Sequence, residues 1–202
     1  MRRRGAPCHP VRYASRTVAD LIYTALASLD GYINDRDGQF AFATPDAEVH
    51  AFVNELERPA GTYLYGRRLY DVMAYWETAP AEDASAEMRD YAELWRAADK
   101  VVYSGTLDRV TTARTRLERS FEPDAVRALK ATASRDLTVG GAGLAAAAFR
   151  AGLVDEIRLI FAPAIVGGGT RALPDDIRIG LELVDERRFA GGMVYVRYRV
   201  AG

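Results

Sequence analysis

The sequence predicts an α/β domain on a mostly parallel sheet, with antiparallel strands at one side and a C-terminal hairpin. Three observations predict it. Short apolar runs alternate with amphipathic stretches, the pattern of strands joined by helices. One run leads directly into a glycine-rich turn and then an alanine-rich stretch. The last two β-favouring runs flank Ala190-Gly191-Gly192, a spacing that closes a hairpin. The 202 residues suit one domain, and a 49% hydrophobic content is enough to bury a core.

Taken in order, Leu21 to Ala27 (LIYTALA) is a short apolar run and reads as a buried strand. Asp30-Gly31 makes a turn and Asp35 to Gly38 a polar loop. Thr44-Pro45-Asp46 opens a helix: Thr44 caps, Pro45 fits the first helical position, and Asp46 complements the dipole. Val49, Phe52, Val53 and Leu56 then give that helix one apolar face, and Pro59 and Gly61 end it. Thr62 to Tyr65 is a strand stopped by Gly66. Further helices are expected over Ala86 to Ala98, Pro123 to Ala131 and Leu144 to Ala151. Further strands are expected over Lys100 to Ser104, Leu137 to Val139, Glu156 to Val166, Leu181 to Phe189 and Met193 to Val200.

Composition excludes several classes. Lysine and arginine number 27 against 28 acids, so the chain lacks the basic excess of a dedicated nucleic-acid binder. One cysteine, Cys8, excludes an internal disulfide and a cysteine-based zinc site, and two histidines, His9 and His50, leave little for a metal cluster. No apolar run is long enough to span a membrane, and no secretory signal is legible, so the expected location is the cytoplasm. Residues 1–19 differ from the rest: five arginines, Pro7 and Pro10, and no acid. Their arginine-rich composition has a feature of organelle transit peptides, but the prolines break any amphipathic helix. The expectation is a disordered extension over 1–19 and a single domain over 20–202.

Three segments carry the chemistry. The first is Gly140-Gly141-Ala142-Gly143 between a strand and a helix, where glycines let the backbone approach an anion and free N–H groups point at it. Its place two-thirds along the chain, with Asp155 too near, is not that of a Rossmann fingerprint. A tight strand–helix turn is the competing structural reading. The second is Gly66-Arg67-Arg68 past one strand end, with Ser104 and Thr106 past another. Guanidinium forks and hydroxyls match phosphate oxygens, so two phosphate subsites suggest a nucleotide such as NADPH, whose 2′-phosphate suits the arginines. The third is polar: Asp30, Glu48 and His50 are candidates to orient a substrate or relay a proton. Tyr32, Phe42, Phe52 and Trp76 suit either walls for a flat ring or core packing.

The order of SLDGY (Ser28 to Tyr32), TYLYGRRLYD (Thr62 to Asp71), KVVYSGTL (Lys100 to Leu107) and LTVGGAGLAAAAFRAGLVDEIRL with its trailing APAIVGGG (Leu137 to Gly169) resembles the dihydrofolate reductase-like superfamily. More narrowly it resembles the RibD C-terminal domain group, which includes the riboflavin-pathway pyrimidine reductase. That resemblance implies a three-layer fold with a mixed sheet of about eight strands and helices on both faces. It implies that Gly66, Arg67 and Arg68 hold cofactor phosphate, with Ser104 and Thr106 near the 2′-phosphate of NADPH. Gly140, Gly141, Gly143 and Leu144 match the pyrophosphate loop and helix start. The implied activity is hydride transfer to a pteridine-, pyrimidine- or similar heterocycle. A non-catalytic NADP(H)-binding or sensor protein is the alternative. The substrate side departs from the group: Tyr32 stands where a lysine is usual, and Arg67 to Ala74 (RRLYDVMA) lacks the stretch that helps hold a ribose phosphate. The acid that recognises a pterin aligns with either Glu48 or His50. By analogy a homodimer is expected, with Met193 to Val200 pairing across a two-fold axis.

Overall fold

In the computed structural model of the chain, residues 18–79 and 84–201 are described. The expected extension over 1–19 lies almost wholly outside them, as do Cys8 and His9. Ala19 already belongs to the fold, its N–H donating to the Lys130 carbonyl at 3.1 Å.

The elements follow as β1 (Leu21–Ser28), β2 (Tyr32–Asn34), α1 (Ala47–Glu57), β3 (Ala60–Gly66), α2 (Arg67–Met73), α3 (Ala86–Ala97), β4 (Asp99–Tyr103), β5 (Thr115–Glu118), α4 (Pro123–Thr132), β6 (Asp136–Gly140), α5 (Ala142–Arg150), β7 (Glu156–Ala162), β8 (Thr170–Arg171), β9 (Leu181–Arg188) and β10 (Val194–Val200). Eight strands form one sheet in the order β5-β4-β3-β6-β1-β7-β10-β9, and β2 pairs with β8 separately. From β5 to β7 every pair is parallel; β10 runs antiparallel to both β7 and β9.

Strand alternation sorts side chains to the two faces. On β3, Leu64 joins one cluster with Val101, Leu137, Val139, Ala145, Ala148 and Phe149, so α5 covers that face. Tyr63 and Tyr65 point the other way, toward Tyr91 and Trp95 of α3. Farther along, Val49 of α1 packs with Ile160 and Tyr195. The alanines of α5 explain its close approach: Ala145 and Ala148 are fully buried. A larger residue at either position would overpack the contact, at a cost of roughly 1–3 kcal/mol.

The expected α/β architecture and hairpin are present, with local corrections. Asp46, not Thr44, caps α1: its carboxylate accepts the Val49 N–H at 2.9 Å, while the Thr44 N–H closes a 3-10 turn on the Ala41 carbonyl. The strand expected to run to Val166 stops at Ala162, where Pro163 follows with no N–H to donate; farther on, the Val166 and Gly167 N–H groups bond to the Asp30 side chain. The expected pairing through Met193 to Val200 is excluded, since β10 has β7 on one side and β9 on the other. Helix α5 begins two residues before the expected Leu144, so Gly143 lies in its first turn. Strands β2, β5 and β8 and helix α2 were not expected at all. Among the described residues no helix is long and apolar enough to cross a membrane.

Candidate functional site

Parallel strands end together, and their C-terminal ends are where backbone and loop groups converge. Here β3, β4 and β6 end side by side: Tyr65 is in register with Gly140, and Gly66 with Tyr103. The two glycine turns therefore touch. Gly141 has φ +90°, a conformation that favours glycine, and a Cβ on it would lie 3.6 Å from the Gly66 nitrogen. A Cβ on Gly140 would lie 2.4 Å from Cδ2 of Leu69 on α2. Backbone conformation thus favours glycine at 141, and a side chain at 140 would displace Leu69.

Gly143 is different. A Cβ there would meet nothing within 4 Å, so packing does not explain a glycine in a helical turn, where it costs about 1 kcal/mol relative to alanine. No side chain caps α5, and the first N–H groups of a helix have no intrahelical partner. The start of α5 therefore presents backbone donors and the positive end of a helix dipole beside open space. Leu144 is buried, within 3.6 Å of where a Gly66 Cβ would stand; its side chain packs the turn.

The next strand end completes this cradle. Arg67, the first residue of α2, donates from Nη1 to Oγ1 of Thr106 at 2.7 Å, and its Nε lies 3.7 Å from Asp71. Oγ of Ser104 accepts the N–H groups of Thr106 and Leu107 at 3.3 and 3.0 Å, curling the loop after β4 toward Arg67. Arg68 is exposed on the same turn of α2. Arg119 also braces this loop, donating to the Leu107 carbonyl at 2.5 Å and the Asp108 carbonyl at 3.4 Å. Sequence reasoning missed Arg119 and Asp71, because neither sits in a local motif. All the expected phosphate-side residues lie on these adjoining strand ends.

Strand β1 supplies a further surface. It pairs with β6 only through Leu21, Ile22 and Tyr23, then continues to Ser28 beside β7 alone. Among the described residues, no strand lies beside its edge toward β6 from Thr24 onward, directly beyond the Gly140-Gly141 turn. Backbone N–H and C=O groups on such an edge remain available to an amide-bearing ligand. Leu29 and Ile165 follow at the ends of β1 and of the β7 extension, 65% and 75% exposed. The Leu29 N–H donates to the Ala164 carbonyl at 2.8 Å, holding the two loops together.

The three polar candidates do not converge. Both oxygens of Asp30 accept backbone N–H groups, Val166 at 3.1 Å and Gly167 at 2.8 Å. A hydrogen bond from Ser28 and these N–H groups hold its carboxyl below the usual range, and its two backbone contacts anchor the loop after β7. Glu48 is spent on the C-terminal hairpin, accepting from Arg187 at 2.8 Å and from the Ala190 N–H at 3.1 Å. His50 faces away toward Trp76 and Tyr91, with ring centroids 6.1 and 5.9 Å distant. Burial lowers its pKa, against the opposing pull of Glu87 and Asp90. Asp30, Glu48 and His50, each expected separately as a candidate to orient a substrate or relay a proton, thus stand apart, each in contacts of its own. Phe52 and Trp76 likewise serve packing: Phe52 meets Phe189 and Tyr195, and Trp76 meets Tyr91. Tyr32 lies under Arg171, and Phe42 packs on the cluster around Val49. No group of three or more metal-binding side chains occurs among the described residues.

Comparison with known proteins adds to this geometry. A family model described as the RibD C-terminal domain matches residues 19–195. The Bacillus subtilis protein YyaP, whose own description assigns it no activity, is 30% identical over 194 residues, which is 93% of this chain and 96% of that protein. A crystal structure from Shewanella sp. PV-4, described as a candidate riboflavin biosynthesis protein, superposes with a TM-score of 0.71 at 18% identity, covering 91% of this chain and 99% of that one. Dihydrofolate reductase from Enterococcus faecalis, solved in complex with NADP(H) and RAB-propyl, superposes with a TM-score of 0.59 at 12% identity, covering 91% and 97%. At these identities the two structures establish a shared dihydrofolate reductase-like fold.

Proposed function

The chain belongs to the RibD C-terminal domain family, a family of reductase-like domains, and on that premise we propose that it is an NADPH-dependent reductase acting on a flat heterocycle of pteridine or pyrimidine type. One observation carries the reading: three strand ends meet as a cradle with two groups of hydrogen-bond donors and open space where Gly143 lacks a side chain. Arg67, Thr106 and Ser104, with Arg68 on the same turn, suit the 2′-phosphate; the N–H groups opening α5 suit the pyrophosphate. The unpaired edge of β1 suits the carboxamide of a nicotinamide ring. When bound, the cofactor supplies a hydride. What this chain adds is orientation, through the β1 edge, and an apolar rim at Leu29 and Ile165 over which a flat ring can lie. Asp30, Glu48 and His50 are each held in contacts of their own.

That same displacement of the acids favours a second reading, an NADP(H)-binding or sensor protein without turnover. The two are separated by following the absorbance of reduced nicotinamide while pterins, pyrimidines and related heterocycles are offered one at a time. The reductase reading expects oxidation of NADPH with at least one of them, tied to stoichiometric reduction of the heterocycle. Tight NADPH binding with no oxidation across the series would select the sensor reading.

A further inference from the structure

A second glycine-rich segment, Gly167-Gly168-Gly169, lies apart from the cofactor cradle. It stands beside the apolar rim of Leu29 and Ile165, which the Leu29 to Ala164 hydrogen bond ties together. Below that rim, Thr24, Ala25 and Leu26 are only partly buried in the middle of β1. A glycine-rich loop suits an anion, because its backbone N–H groups can close on one. Here the chain supplies the anion itself. One oxygen of Asp30 accepts the Val166 N–H at 3.1 Å, and the other accepts the Gly167 N–H at 2.8 Å. The remaining glycines admit the chain's own groups: a Cβ on Gly169 would fall on the Asn34 carbonyl, and one on Gly168 would meet Arg36. The basic groups tied to this loop are engaged as well. Arg36 donates to the Gly167 carbonyl at 3.0 Å. Arg171 pairs with Asp175 at 3.0 Å and lies over the Tyr32 ring at 5.1 Å. Asp35 adds a further carboxylate, held by the Asp37 and Gln39 N–H groups at 2.9 and 2.8 Å.

We propose that this end of the site takes an uncharged, phosphate-free ring and turns away the phosphorylated form of the same ring, an inference that rests on the reductase reading above. A phosphate brought to this loop meets a carboxylate where it needs donors, and like charges at close range repel. It also leaves water with no new hydrogen bonds to replace those it loses. A neutral flat ring meets neither penalty: it covers Leu29 and Ile165 and leaves Asp30 on its anchor. The cradle is the opposite case. There Arg67 and Arg68 stand beside helix N–H groups that no side chain caps. Charge thus sorts two ligands along one site, the nucleotide phosphates to the arginines and the neutral ring to the acid-lined end.

Isothermal titration of the full chain saturated with NADP+ tests this with two matched pairs of probes. One pair is 6-hydroxymethylpterin and its monophosphate; the other is 5-amino-6-ribitylaminouracil and its 5′-phosphate. In each pair that binds, the phosphate-free member is expected to bind at least about 10-fold more tightly. Asp30→Asn removes the charge but keeps an oxygen for a backbone N–H, and is expected to narrow that ratio at least about 3-fold. A purely structural Asp30 would move both members alike, and thermal melting reports on folding. Arg36→Met is expected to change neither member by more than about 3-fold, because its guanidinium is held by Gly167. Equal or tighter binding of the phosphorylated members overturns the proposal. So does failure of both pairs to bind, a ratio that a folded Asp30→Asn leaves unchanged, or an Arg36→Met loss confined to the phosphorylated members. A chain that does not bind NADP+ fails the reductase reading and this inference with it. A chain that binds NADP+ but prefers the phosphates fails this inference alone.

Discussion

Replacing Arg67 with methionine isolates the phosphate clamp from the rest of the fold. The guanidinium is about half exposed, with side-chain accessibility of 47%, and its fixed contacts are Thr106 at 2.7 Å and Asp71 at 3.7 Å. Methionine keeps the stem and the helical start while removing the charge. The lost contacts are exposed, so folding stability should fall by less than about 1 kcal/mol. A 2′-phosphate bound here receives a charge-assisted hydrogen bond, worth about 1.5–3 kcal/mol when both partners are charged. Its loss should raise the dissociation constant for NADPH roughly 10- to 150-fold. NADH lacks that phosphate, so its affinity should change by less than about 3-fold. Isothermal titration of wild type and Arg67→Met with both nucleotides reads the four constants directly. Equal losses for NADPH and NADH, or no loss for NADPH, would refute the assignment of the 2′-phosphate to Arg67.

Four other substitutions probe separate parts of the molecule. Gly143→Ala adds a methyl to open space, so the melting temperature should hold or rise while nucleotide affinity falls; Gly141→Ala, at φ +90°, should destabilise the fold itself, and equal melting losses in both variants would contradict the cradle. Asp30→Ala removes both acceptors for Val166 and Gly167, and hydrogen exchange at those two amides should quicken while the central strands keep their protection; unchanged exchange would show that the anchor is dispensable. Burial raises the Glu57 carboxyl from 4.5 to about 7, with Arg158 opposing that rise. The folded chain therefore holds a proton that the unfolded chain releases between those values, so this contribution to stability is complete below 4.5 and is lost as pH rises through about 7. Glu57→Gln should remove that slope and exceed wild type at pH 8 by on the order of 3 kcal/mol, as read from urea melts across the range. Parallel stability profiles for the two proteins would count against the buried, protonated carboxyl.

The large elements were legible because each carries its own period. Val49, Phe52, Val53 and Leu56 mark a helix face, and LIYTALA marks a buried strand, without help from the rest of the chain. Strand β5 (TRLE) was invisible because it is a sheet edge with intermediate or exposed side chains, and so lacks alternation. Helix α2 is seven residues long and starts at the glycine turn, which leaves too little sequence for a period to show. The phosphate side of the site was legible for a related reason: its residues sit at strand ends, and strand ends were found. The contacts of the acids were not legible because their partners are remote. Glu48 binds Arg187 across 139 positions, and Asp30 binds Gly167 across 137, contacts that no local pattern encodes. Among the glycines, the fold separates what the motif could not: Gly140 sits against Leu69, Gly141 adopts a positive φ, and Gly143 borders open space.

The central claim is that the cradle holds NADPH, and a thermal-shift titration of the purified chain with NADPH, NADH and NADP+ tests it most directly. A ligand at about 100 times its dissociation constant adds roughly 2.7 kcal/mol to folding stability. For a chain of this size that raises the melting temperature by roughly 5–10 °C. The account predicts such a rise with NADPH and NADP+ and a much smaller one with NADH at the same concentration. No rise with any of the three, or equal rises with NADPH and NADH, would contradict it.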